Sequence, residues 1–221
     1  QLGALVLRRR PLMQPDAEAQ QRAMLDGIKQ AGIEVLPWTA ELRQWQARVL
    51  SLRAWNGPEW PDVADVALAA GLEDWLAPYL SGVTRLAHLA RLDLGAMLRV
   101  RLDHAMQQSL ERLAPQRLVV PSGSSIGLEY SCDGAPPVLA VKLQALFGLR
   151  ETPRVNQGRV PVLLHLLSPA RRPIQVTQDL ASFWASGYAD VRRDLKGRYP
   201  KHPWPDDPMS APPTARAKPR K

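Results

Sequence analysis

From Asp16 to about Arg112 the apolar residues recur at helical spacing, and no stretch alternates as a half-buried strand does. The first half therefore reads as almost entirely helical. Asp16, after Pro15, is placed to cap a helix running to Gly32, with Met24 and Ile28 four apart on its buried face. Thr39 is placed to cap the next, on which Leu42, Trp45, Val49 and Leu52 form the inward stripe. "NGPEWPD" interrupts the pattern with two prolines and a glycine, and Asp62 then starts a pair of short helices through "VADVALAAGLEDWLAPYL". "LDLGAMLRVRLDHAMQQSLERLAP" predicts one longer amphipathic helix with Leu94, Leu98, Leu102, Ala105 and Leu113 inward, ended by Pro115.

The pattern changes at residue 115. "RLVVP" and "SIGLEY" predict short strands about a turn at Ser122–Gly123. "PPVLAVKLQALFGL" predicts a helix with proline at its start, Leu139, Leu143, Leu146 and Phe147 on one side and Gly148 at its end. "GRVPVLLHLLS" and "RPIQVT" predict two further strands joined at "PARR", and Thr177 is placed to cap a last helix through "QDLASFWASGYADVRRDLKG". Prolines at 200, 203, 205 and 208 then forbid a helix and favour an extended run.

The expected class is α+β. It comprises an N-terminal strand at residues 1–14, a helical region at 15–114, a small mixed α/β domain at 115–200 and an extended basic tail at 201–221. "QLGALVLRRR" reads as a strand from Leu2 to Leu7 with no partner nearby, and a lone strand leaves its backbone groups unpaired. The chain is therefore expected to be a fragment cut inside or just after an upstream β domain, whereas "TARAKPRK" has the look of a frayed C-terminus.

Little enzyme chemistry is visible. There is no "GxxxxGK[ST]" phosphate loop, no "GxSxG" and no "HExxH". His88, His104, His165 and His202 stand at spacings that suggest no metal site, and Glu73, Asp74, Asp190 and Asp194 resemble carboxylates of solvated helix faces. Neither catalytic residues nor metal ligands are assigned. Cys132 is the single cysteine, which fits a reducing, cytoplasmic compartment. The most apolar run, "VPVLLHLL", is too short to cross a membrane. "PSGS" at 121–124 could offer amides and hydroxyls to a phosphate, but turns of this composition ordinarily just reverse the chain, and that reading is preferred.

Charge is more informative, because the net charge of +8 favours polyanionic partners. Lys142, Arg150, Arg154, Arg159, Arg171 and Arg172 crowd into about thirty residues, followed by Arg192, Arg193, Lys196, Arg198 and Lys201 and by Arg216, Lys218, Arg220 and Lys221. Asp190 and Asp194 can pair with Arg193 and Arg198, which discounts part of this charge. Lys142, Arg154, Arg159, Arg171, Arg172, Arg192, Lys196, Arg198 and Lys201 are the candidate RNA contacts. Tyr199 and Trp204 are candidate docking or base-stacking aromatics, while Trp184 and Tyr188, four apart, look like core.

The strings "PSGSSIGLEYS", "PPVLAVKLQALFGLRETPRV", "GRVPVLLHLLSPARRPIQVTQDLASFW" and "YADVRRDLKGRYPKHPWPDDP" together resemble the C-terminal region of the HrpB family of bacterial DEAH-box ATP-dependent helicases. "GALVLRRRPL" and "LEDWLAPYLSGV" do so earlier, so the resemblance runs along nearly the whole chain. It implies an RNA helicase whose RecA-like motor domains, with ATP and Mg, precede this region. It also implies that residues 1–10 close an oligonucleotide-binding-type β domain. No position here matches the ATPase motifs, so no cofactor is assigned to this chain. Two roles follow as expectations: an accessory module that holds RNA beside the motor, or a structural module in which "GRYPKHPWPDDP" docks on the upstream helicase domains of the same protein. That segment is expected to anchor the last helix through Tyr199 and Trp204, with Arg198 and Lys201 lending charge towards RNA.

Overall fold

The computed structural model describes residues 16–214, and the strand expected at Leu2–Leu7 and the basic residues from Arg216 onward lie outside them. The chain is mixed α and β and divides into two compact units. The division cuts across the helical half, because residues 40–62 group with 102–221 and residues 63–101 group with 1–39.

The described part of the first unit is helical. It contains α1 (Ala17–Ala31), α3 (Asp65–Ala70), α4 (Leu72–Trp75) and α5 (Leu94–Arg99), with short 3-10 turns between. Met24 and Ile28 of α1 are buried, as are Leu68, Leu72, Leu89, Leu94 and Leu98. Each such leucine removed from water contributes about 1.5–3 kcal/mol. Asp16 precedes α1, but its side chain makes no capping hydrogen bond. The pair of short helices begins at Asp65 rather than Asp62.

The second unit opens with α2 (Ala40–Asn56), whose inward stripe of Leu42, Trp45, Val49 and Leu52 is buried. The long helix expected over 93–114 is two helices. The first is α5 and the second, in this unit, is α6 (His104–Leu113). Each has its own cap: the Asp93 carboxylate accepts from the Ala96 N–H and the Asp103 carboxylate from the Met106 N–H, both three residues on. The break also turns Ala105 outward, so it is exposed rather than inward.

Strands β1 (Arg117–Val119) and β2 (Ser125–Gly127) form an antiparallel hairpin about the 121–124 turn. The segment read as a proline-started helix is a strand, β3 (Val138–Lys142), running into a 3-10 turn at Leu143–Leu146. Leu139 and Val141 are buried while Ala140 between them is exposed, a period of two that outcompetes the helical spacing of the leucines. The crossover after β3 carries a small hairpin, β4 (Arg154–Val155) and β5 (Val160–Pro161). Next, β6 (Leu163–Leu167) pairs parallel with β3 and antiparallel with β7 (Pro173–Thr177).

The last helix runs as α7 (Leu180–Ser182), a π turn at Phe183–Gly187 and α8 (Tyr188–Lys196). Its cap is Asp179, whose carboxylate accepts from the Ser182 N–H. Thr177 stands two residues too early and accepts instead from the Asp179 N–H. The aromatic core beside it joins Phe147 to Trp184 and to Tyr188, each pair with ring centroids 6.2 Å apart. Tyr188 is buried and Trp184 half-buried, with its indole N–H donating to Leu149 O at 2.8 Å.

Candidate nucleic-acid interface

The proline-rich segment after α8 folds back on its own unit. Trp204 is buried and donates its indole N–H to Tyr199 O at 3.0 Å. The Tyr188 hydroxyl donates to Pro205 O, and burial pushes its pKa up to about 12. Arg192 Nε donates to Trp204 O at 2.9 Å while its guanidinium pairs with Asp206 at 2.5 Å. Two further backbone bonds, Gly148 N–H to Pro208 O and Thr214 N–H to Gln144 O, hold the following residues down. A segment without regular structure has its backbone groups satisfied this way.

Two clefts flank this segment's neighbourhood in the second unit. The first, about 450 Å³, lies between the β1–β2 hairpin and the end of β3 and is lined by Arg117, Ser124, Ser125, Lys142 and Arg171. No carboxylate lines it among the described residues. The second, about 300 Å³, is lined by Arg172, Arg198 and Tyr199 together with Asp194, and Asp194 lies 3.9 Å from Arg193 Nε. Arg171 and Arg172 are consecutive residues of the β6–β7 turn, so that turn contributes a cation to each cleft. Ser168 holds that turn: its carbonyl accepts from the Arg171 N–H, its hydroxyl accepts from the Arg172 N–H and its own N–H donates to Arg172 O. Arg171 takes a left-handed backbone conformation, φ +61°, to complete it.

His202 lies beside Tyr199, within the electrostatic reach of Lys142. Its ring meets Tyr199 edge-on at 6.4 Å, and its pKa is held below the ordinary value, first by burial and then by the charge of Lys142.

The structure thus brings Lys142 and Arg171 together in one cleft and Arg172, Arg198 and Tyr199 in the other. It sets apart Arg154 and Arg159, on the β4–β5 hairpin, where both guanidiniums donate to local groups of that turn. Arg192 is engaged in anchoring Trp204 and Asp206. Lys196 and Lys201 are exposed. Arg193 rather than Arg198 takes the carboxylates, lying 2.8 Å from Asp190. Arg117 escaped the reading of the sequence because it stands alone there. Its signal is register, since it sits in the hairpin with Ser125 and donates Nε to that hydroxyl at 3.0 Å. Ser124 and Ser125 extend the role of the 121–124 turn, which reverses the chain and also furnishes one cleft wall.

Residues 75–208 match the family described as ATP-dependent helicase C-terminal (HrpB_C), and the chain belongs to that family. It is 47% identical over 220 residues to the ATP-dependent RNA helicase HrpB of Escherichia coli (strain K12), covering 99% of this chain and 27% of that protein. The chain thus spans about a quarter of the relative's length. The crystal structure of E. coli DExH-box NTPase HrpB superposes with a TM-score of 0.84 at 46% identity, over 98% of this chain and 27% of that one. A crystal structure of E. coli DEAH/RHA helicase HrpB gives 0.71 at 45% identity, over 92% and 26%.

Proposed function

We propose that this region is an accessory, non-motor part of an ATP-dependent RNA helicase and binds RNA beside RecA-like motor domains of the same protein. ATP and Mg belong to those domains in this reading, and no residue of this chain is assigned to them. The setting is the cytoplasm; among the described residues no helix is long and apolar enough to cross a membrane.

The observation that carries the proposal is a pair of cation-lined clefts to which the β6–β7 turn contributes Arg171 and Arg172. One cleft is lined by three cations, and the other by Arg172, Arg198 and the ring of Tyr199. Cations follow the phosphates of a strand, and a ring such as Tyr199 offers a face for a base. Fluorescence anisotropy of a labelled single-stranded RNA with the 221-residue chain, across a salt series, tests it. Binding that weakens steeply with salt is expected, through counterion release. A folded chain that binds no RNA at low salt overturns the proposal and leaves docking on the helicase domains as the role.

A further inference from the structure

The first cleft has more structure than a general basic surface requires. Arg117, Lys142 and Arg171 come from three separate elements, β1, β3 and the β6–β7 turn, and converge on one concavity with the Ser124 and Ser125 side chains. Cations so placed, with no carboxylate among the lining residues, set a positive potential over the cleft that favours an anion there. Arg171 occupies a backbone conformation that non-glycine residues rarely take. Ile126, Ala140 and Leu167 supply apolar lining, and about 450 Å³ is within the range of small-molecule sites. The combination of a cationic rim, two hydroxyls and an apolar wall suits a phosphate that carries a sugar or a base.

We propose that this cleft is a binding site for one nucleotide unit of single-stranded RNA, its phosphate held by Arg117, Lys142 and Arg171 and hydrogen-bonded by Ser124 and Ser125. The inference rests on the RNA-binding reading for the source of the nucleotide, while the phosphate chemistry stands on the cleft alone. Arg117 already donates to the Ser125 hydroxyl and to its carbonyl, which fixes the guanidinium with donors left for a ligand. Arginine's planar fork suits phosphate oxygens, and Lys142 adds a point charge.

The test uses amide-resolved NMR of the 221-residue chain with inorganic phosphate, adenosine, adenosine monophosphate and a twelve-nucleotide single-stranded RNA. Adenosine monophosphate and the RNA are expected to move the amides of Ser124, Ser125, Ile126 and Lys142, and adenosine is expected to leave them in place. Arg171→Gly combined with Lys142→Gln removes two cations. The glycine relieves the left-handed strain, so weaker binding reflects lost contacts rather than lost folding. This variant is expected to bind the RNA roughly tenfold more weakly, with a salt slope shallower by about 0.7 per phosphate contact removed. Arg112→Gln, at an exposed position of α6, is the matched control and is expected to leave both unchanged.

If RNA binds the variant as tightly as the parent and those amides stay still, the nucleotide site falls and the RNA-binding reading survives. If phosphate and adenosine monophosphate move the amides but RNA does not bind, the site takes free nucleotides and the RNA reading falls. If none of the four probes moves them and RNA does not bind, both are overturned.

Discussion

Tyr199 and Trp204 sit five residues apart in the same proline-rich segment, yet they have different tasks. Trp204 is 7% exposed, with its indole N–H bonded back to Tyr199 O, whereas Tyr199 is half-buried against His202 and lines the second cleft. Trp204→Ala is expected to destabilise the second unit by about 3–5 kcal/mol, in the range for a large buried aromatic. Tyr199→Ala is expected to cost less stability and to weaken RNA binding; urea denaturation and anisotropy on the two variants separate the effects. His202 adds a pH dependence. Its folded pKa lies below the unfolded value near 6.5, with burial the first cause and Lys142 the second. The unfolded chain then binds the proton more readily, so this contribution is intact above about pH 6.5 and is lost as pH falls through the folded pKa. His202→Gln is expected to flatten the fall in the urea midpoint between pH 7.5 and 5.5. The lowered pKa of Asp207, caused first by the Met209 N–H and next by the Ser210 hydroxyl, acts only below the ordinary Asp range and does not confuse the measurement. The composition of "GRYPKHPWPDDP" made an aromatic anchor readable, but not which ring would be buried. That depends on the backbone path after α8, which Arg192 and Tyr188 fix by donating to the Trp204 and Pro205 carbonyls.

Helices were easier to recognise than to delimit, and the reasons are local. The two aspartate caps at Asp93 and Asp103 were both visible, but the leucines at 94, 98 and 102 kept helical spacing across the break and hid it. Over 138–147 Leu139 and Leu143 fitted two periods at once, a helical one with Leu146 and an alternating one with Val141, and pairing with β6 decided for the strand. What sequence could not show was how α2 and α6 are joined. Arg48, 2% exposed, donates to Ala114 O at 2.6 Å and Leu110 O at 3.3 Å and pairs with Glu111 at 2.9 Å. A buried guanidinium here caps the Ala114 carbonyl at the end of α6 and shares the Leu110 carbonyl with the Ala114 N–H. Arg48→Met is expected to cost about 1–3 kcal/mol, from the Ala114 carbonyl left without its charged donor. Glu111→Gln is expected to cost under about 1 kcal/mol, because that carboxylate is largely solvated and Arg48 keeps its carbonyls. Thermal or urea unfolding of the two variants checks the asymmetry. A second junction is equally specific: Gly134, at φ +77°, lets its carbonyl accept from the Trp55 indole at 2.6 Å, and a Cβ there would stand 2.5 Å from Ala54 Cβ. Gly134→Ala therefore combines backbone strain with a clash and is expected to destabilise by about 1–3 kcal/mol.

At the scale of the whole molecule, deletion is a poor tool for assigning the charge after α8. Cutting the chain after Lys196 removes Arg198 and Lys201, and also removes Trp204, the Pro205 and Pro208 carbonyls and the Asp206 partner of Arg192. A truncated chain that failed to bind RNA would therefore report a damaged second unit as readily as a lost contact. Charge alone is separable from anchoring, because Arg172 and Arg198 line the second cleft from exposed positions while Arg192 does the holding. The double variant Arg172→Gln, Arg198→Gln is expected to stay within about 0.5 kcal/mol per site of the parent in stability, as exposed substitutions generally do. If both residues meet phosphates of a single strand, the slope of log affinity against log salt should fall by about 1.4, twice the single-strand value for one contact. Truncation is expected to lower the thermal midpoint as well, a change the double variant does not share. An unchanged slope in a folded double variant that still binds would move the RNA path off the second cleft and confine it to the Arg117, Lys142 and Arg171 side. A slope reduced by the expected amount puts phosphates of the strand in the second cleft, at Arg172 and Arg198.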